Sequence, residues 1–228
     1  KGEQFGEVAE GMPESNEDFT EHIVKIRQGI KWSDGEDLNA DDVVFTFNMI
    51  KENDKSGASA ATNLYIDKVE KVDDYTVDFI LANPVNEANF YVPYNLSSSY
   101  LVYKPVYEAC KTFYKDGKEV ATEEEADEVK TKSGRSVENT VSYGPYKLSS
   151  FELDKEYTLT RNDNWYGYHD GNHVGQYQTD IYKVTCIADH ATQVLAFEKG
   201  EIDDIALQAD DLKKYGNSKY IKYGPNNG

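Results

Sequence analysis

Apolar and polar positions along the chain fall into two periods. Residues 75 to 81, "YTVDFIL", alternate: Tyr75, Val77, Phe79 and Leu81 share one face, while Thr76 and Asp78 lie on the other. A period of two predicts a half-buried strand. Residues 68 to 72, "KVEKV", are its predicted antiparallel partner, with Asp73 and Asp74 as the turn. Residues 19 to 27, "FTEHIVKIR", are rich in β-branched side chains and stop at Gln28 and Gly29, as a strand entering a turn does. The period then changes. Behind "WSDGEDLN", where Asp34 and Gly35 suit a turn needing positive φ, Val43, Val44, Phe47 and Ile50 recur at helical spacing. Asn39 is the predicted N-cap, and Asp41 and Asp42 place carboxylates at the positive end of the helix dipole.

Later segments are read the same way. Prolines and asparagines between residues 82 and 105 predict irregular chain with a short helical piece. From Val106 to Asn139 the pattern weakens, and "EEEADEVKTKSGRS" reads as a charged surface segment, part helix and part loop. "GPYKLSSFE" and "EYTLTRN" predict a hairpin, "TDIYKVTCIA" a strand, "HATQVLAFEKGEID" a helix closed by Gly200, and "DDIAL" a short buried strand. That C-terminal βαβ-like order predicts an α/β architecture. Glycines, histidines and an asparagine cluster at residues 165 to 176, a candidate boundary.

Composition narrows the function classes. The 228 residues are 39% hydrophobic and 13% aromatic, enough for a real core, with a formal charge of −18. That charge disfavours phosphate backbones and anionic membranes, so nucleic acid is not an expected partner. No apolar run is long enough to span a bilayer. Cys110 and Cys186 have no metal-finger spacing and are read as two separate small core residues, not a disulfide. No GxSxG, P-loop, HExxH or EF-hand pattern occurs, so no catalytic residue, metal ligand or cofactor is assigned. His169 and His173 are four apart around Gly171, a solvated loop more than a metal pair. The 18 tyrosines offer flat apolar faces with hydroxyls, suited to polar organic ligands, although most of them should pack on the core. "YVPYNLSSSY", residues 91 to 100, is a polar, aromatic-flanked loop of that kind.

Several motifs together carry a resemblance. "IRQGIKWSDGEDLNADDVVFTF", "DDYTVDFIL", "YGPYKLSSFELDKEYTLTRNDNWYG" and "GEIDDIAL" resemble, in order and spacing over about residues 19 to 207, the family 5 extracellular solute-binding proteins. These are the peptide- and nickel-type binding components of ABC importers. The resemblance implies a periplasmic-binding-protein-like α/β fold of the large type, a mixed β-sheet with flanking helices, of which this chain is a fragment without the second lobe. Residues 1 to 166 would be the extra β-rich subdomain of the first lobe, and residues 167 to 228 part of its α/β core. It further implies an extracytoplasmic protein, free or lipid-anchored, and the fragment is expected to be monomeric. Such a protein closes two lobes over a peptide or other small solute and delivers it to a membrane permease, without enzymatic activity or cofactor. An oligosaccharide or metal complex is the alternative ligand, and a glycoside hydrolase the alternative class. "KWSDG" is read as scaffold, with Trp32 anchoring the turn. Residues that would line the cleft are Ser142 and Tyr143 before "GPY", Gln208 after "GEIDDIA", Asn63, and Asn95 and Ser98 of the polar loop. At Tyr143 relatives often carry a small residue, so a narrowed site is expected.

Overall fold

A computed structural model describes residues 6–53, 66–85 and 100–219. Asn63, Asn95 and Ser98 lie outside these described residues. Packing divides the chain into two compact units, Lys1–Glu152 with Tyr157–Val184, and Leu153–Glu156 with Thr185–Gly228. Among the described residues no helix is long and apolar enough to cross a membrane.

In the first unit, β1 (Glu14–Ser15), β2 (Glu21–Lys25), β3 (Ile66–Asp73) and β4 (Thr76–Leu81) form a sheet of order β1-β2-β4-β3. Both neighbours of β4 run antiparallel to it, with Val24 opposite Val77 and Val69 opposite Phe79. The alternation of "TVDFIL" sends Val77, Phe79 and Leu81 inward, onto helix α1 (Ala40–Asn53). Phe47 of the helix meets Phe79 edge to face at 5.0 Å between centroids. His22, opposite Phe79, is wholly buried, and its Nδ1 pairs with the Ser15 hydroxyl at 2.8 Å.

The helix begins where the sequence places it. Asn39 Oδ1 accepts the Asp41 N–H at 2.8 Å, and Asp42 Oδ2 reaches back to the Asn39 N–H at 3.2 Å. This is a reciprocal capping box that satisfies two otherwise orphaned donors. The Ala40 N–H donates to Asp74 O at 2.9 Å, and Lys71 Nζ bridges Asp41 and Asp74 at 2.9 and 2.8 Å. The start of α1 is thereby tied to the β3–β4 turn; the Lys71 pairs are exposed and add little on their own.

Residues 106 to 139 depart from the expected mixture of helix and loop. After a short helix α2 (Lys104–Ala109) comes an antiparallel sheet of order β6-β5-β7, made of β5 (Lys111–Lys115), β6 (Lys118–Val120) and β7 (Glu128–Thr131). Its strands are too short, and too rich in charge, for alternation to stand out. The missed signal is Asp116-Gly117, with φ of 49° and 75°, the positive-φ pair of a two-residue hairpin loop.

The expected hairpin is present as β8 (Tyr146–Glu152) and β9 (Glu156–Arg161), with β10 (Ile181–Thr185) completing a sheet of order β10-β9-β8.

In the second unit, α3 (His190–Glu198) is capped by Asp189, whose Oδ1 accepts the Thr192 N–H at 2.8 Å. Gly200, at φ 72°, ends it as expected. The short strand expected at "DDIAL" is not formed: Asp203, Asp204 and Ala206 are exposed, and the segment joins no ladder among the described residues. A strand needs a neighbour for its backbone groups, and three apolar residues do not supply one. With it goes the βαβ-like unit; a short helix α4 (Leu212–Tyr215) follows instead. Both cysteines are free, as read, but Cys186 is exposed and not a core residue.

Candidate ligand-binding site

The turn "KWSDG" is built as a loop closed by its own backbone. Trp32 N–H donates to Glu36 O and Leu38 N–H to Ile30 O, both at 2.9 Å, and Gly35 takes φ 100°. Trp32 is 1% exposed, and its Nε1–H donates to Asp42 Oδ2 at 3.1 Å. One carboxylate therefore anchors the tryptophan and caps the helix at once. Burial pushes the Asp42 pKa up against these hydrogen bonds, which favour the ionised form.

Around Trp32 the structure gathers segments distant in sequence. Tyr103 lies 4.8 Å away and Tyr143 5.2 Å away, the latter edge-on at 88°. Tyr143 Oη accepts the Leu101 N–H at 3.3 Å, and Thr46, wholly buried in α1, accepts the Val102 N–H at 2.8 Å and donates to Asp42 O at 2.7 Å. Burial and the Asp34 carboxylate push the Tyr103 pKa up to about 12, so its phenol stays protonated. Burial likewise raises Tyr143.

Ser142 and Tyr143 are thus held together by the scaffold turn. Ser33 N–H donates to Ser142 O at 2.7 Å, Ser142 N–H to Ser33 Oγ at 3.2 Å, and Gly144 N–H to Ser142 Oγ at 3.0 Å. Asn162 completes the frame: its Nδ2 donates to Gly144 O at 2.8 Å and its N–H to Pro145 O at 2.9 Å. Ser142 and Tyr143 are both half-buried. Gln208 lies in the second unit, exposed, in a turn where its N–H donates to Asp211 Oδ2 at 2.7 Å.

Two further clusters in the first unit escaped the sequence reading. His173 is 7% exposed and not a solvated loop residue: its Nδ1 faces Asp170 Oδ2 at 2.9 Å and its Nε2 faces Glu7 Oε1 at 3.1 Å. Glu7 also accepts from the Tyr166 hydroxyl at 2.5 Å, and the Trp165 ring lies 4.9 Å from His173. Glu7 and His173 are so far apart in sequence that no local signal links them. The second cluster is an open cavity of about 480 Å³, lined by Tyr146, Leu159, Tyr177, Gln178, Thr179 and Tyr182. Tyr146 meets Tyr182 at 5.3 Å and Tyr177 at 6.3 Å; tyrosines at 146, 177 and 182 were the available signal. Among the described residues no group of three or more His, Cys, Asp or Glu is arranged to hold a metal ion.

Known proteins match this arrangement. The family described as "Bacterial extracellular solute-binding proteins, family 5 Middle" matches residues 4–228. The oligopeptide-binding protein AppA of Bacillus subtilis (strain 168) is 29% identical over 201 residues, covering 87% of this chain and 32% of that protein. The dipeptide-binding protein of Escherichia coli (strain K12) is 28% identical over 181 residues, covering 71% and 30%. The structure of the Bacillus subtilis AppA in complex with a nonapeptide superposes with a TM-score of 0.67 at 25% identity, covering 92% of this chain and 37% of that one. The chain spans about a third of the length of these curated relatives. The fold is the periplasmic-binding-protein-like one, here a set of sheets with flanking helices, and this chain belongs to the family 5 bacterial extracellular solute-binding proteins.

Proposed function

We propose that this chain forms part of the substrate-binding component of an ABC importer, which captures oligopeptides or dipeptides and delivers them to a membrane permease. The observation that carries the reading is the match to a protein named for oligopeptide binding across 87% of this chain. Capture proceeds by closure of two lobes over the solute, the closed form being the one the ligand stabilises. Residues 1 to 166 make up the β-rich subdomain of the first lobe and residues 167 to 228 part of its α/β core. The whole protein works outside the cytoplasm, free or lipid-anchored, as a carrier that leaves its cargo unreacted, and the present fragment is monomeric.

Ser142, Tyr143 and Gln208 line the cleft, together with Asn63, Asn95 and Ser98. Tyr143 suits the task because its ring is braced on Trp32 while its O–H proton remains able to meet a peptide carbonyl. Its bulk narrows the cleft where relatives carry a small residue.

Isothermal titration of the full-length protein against defined oligopeptide and oligosaccharide pools tests the reading. Peptide binding is expected, and Tyr143→Phe should weaken it by roughly two- to tenfold, the worth of one hydrogen bond, with the unfolding midpoint followed in parallel. Binding to oligosaccharides and not to peptides would overturn it.

A further inference from the structure

The second unit contains a polar link that bears on Gln208. His190, first residue of α3, directs its Nε2 at Asp211 Oδ2, 2.7 Å away. That same oxygen accepts the Gln208 N–H at 2.7 Å, and the Asp211 N–H returns to Gln208 O at 3.0 Å. One carboxylate oxygen therefore joins the start of α3 to a turn some twenty residues later. The two side chains are 24% and 15% exposed, sheltered enough for a charge-assisted bond to fix a geometry. The turn runs into α4 through the Tyr215 N–H to Asp211 O bond at 2.9 Å, and Gln208, Ala209 and Asp210 are all exposed, so its outer residues are held by hydrogen bonds and not by packing.

We propose that the His190–Asp211 pair is a positioning latch for the turn that carries Gln208, closed while the imidazole is protonated and loosened when it is not, so that ligand capture weakens under alkaline conditions. This rests on Gln208 being a cleft residue. The groups facing the imidazole are Asp211, Asp189 from the preceding cap and the Gln193 amide, and Lys214 acts on Asp211. Asp211 and Asp189 are anionic, so the surroundings favour the imidazolium, and the His190 pKa is raised, first by the hydrogen bond to Asp211. The Asp211 pKa is lowered, first by the Gln208 N–H and then by His190. Loss of the ring proton leaves at most a neutral N–H on the anionic Asp211 and removes the attraction between the two charges, and Oδ2 then has one less reason to stay where Gln208 needs it.

The test uses the full-length receptor in two arms, each run from about pH 5.5 to 9. In the first, amide hydrogen exchange at Gln208 and Asp211 is corrected for its intrinsic pH dependence. Protection should fall roughly tenfold as His190 loses its proton, the size expected for one charge-assisted hydrogen bond, and His190→Gln should be flat and weakly protected throughout. A flat wild-type profile, or one that His190→Gln reproduces, overturns the latch. In the second arm, the affinity for a labelled synthetic oligoalanine peptide should decline roughly threefold over the same transition and stay level in His190→Gln. Exchange that moves while affinity stays level overturns the coupling to ligand, and with it the cleft role of Gln208.

Discussion

The two compact units of this chain are held by different forces. In the first, Ile30, Trp32, Leu38, Phe47, Val77 and Phe79 belong to one continuous buried cluster. In the second, Ala196 is the only buried side chain among the described residues. Order there comes from polar links: the Asp189 cap, the His190–Asp211 pair, and Glu198 with Lys214 and Tyr215. Apolar burial is insensitive to pH, whereas hydrogen-bonded charges are not. Carboxylates also differ between the units: the first holds ones raised by burial as well as Glu124, Glu138 and Asp170, which are lowered. Burial raises Asp42 and Asp78 in the first, while hydrogen bonds lower Asp189, Glu198 and Asp211 in the second.

The largest expected effect breaks the first unit. Phe79→Ala removes a fully buried ring packed on Phe47 and should cost about 3–5 kcal/mol in urea unfolding of that unit. Next comes Asp42→Ala, which strands the buried Trp32 N–H and opens the helix cap together. A loss of about 2–3 kcal/mol is expected, more than a cap alone is worth. If Asp42→Ala cost no more than an ordinary cap, the bond to Trp32 would carry no stability. Smaller again is Gly117→Ala at φ 75°, about 1–2 kcal/mol, seen as local fraying of β5 and β6 by hydrogen exchange and not as global unfolding.

The smallest effect sharpens the contrast most. Asp189, Glu198 and Asp211 have depressed folded-state values, so their contribution is present above the ordinary carboxylate range and lost as pH falls through the lowered values. His190 has the opposite sign: its contribution is complete below the ordinary histidine value and lost as pH rises through the elevated one. The second unit should therefore be best protected in mildly acidic solution and weaken on both sides. Asp42 and Asp78 bind their protons more tightly when folded, so their share of the first unit's stability improves as pH falls. Residue-resolved exchange between about pH 3 and 9 reads both trends; parallel profiles in the two units would remove the distinction.

This division also explains what was legible in the chain. The β2–α1–β3–β4 block could be read because period and burial coincide there: Val77, Phe79 and Leu81 point inward, and Asn39 caps as its chemistry predicts. The sheet at β5–β7 was missed since its strands have no buried residue to impose a period, although Asp116-Gly117 announced a hairpin. "DDIAL" was misread because three apolar residues look alike with or without a pairing partner. Of the candidate site, Ser142 and Tyr143 were found through the "GPY" resemblance, but their seat on Trp32 and Ser33 depends on contacts more than a hundred residues apart in sequence. The Glu7–His173 contact is equally long-range and left no trace in local sequence.

The most direct test of the central claim is calorimetric titration of the full-length receptor with oligopeptides, comparing wild type with Tyr143→Phe. A saturable peptide isotherm, weakened in the variant while its unfolding midpoint stays near the wild-type value, is the predicted result. Identical peptide isotherms in the two proteins, or heat only from oligosaccharides, would contradict it.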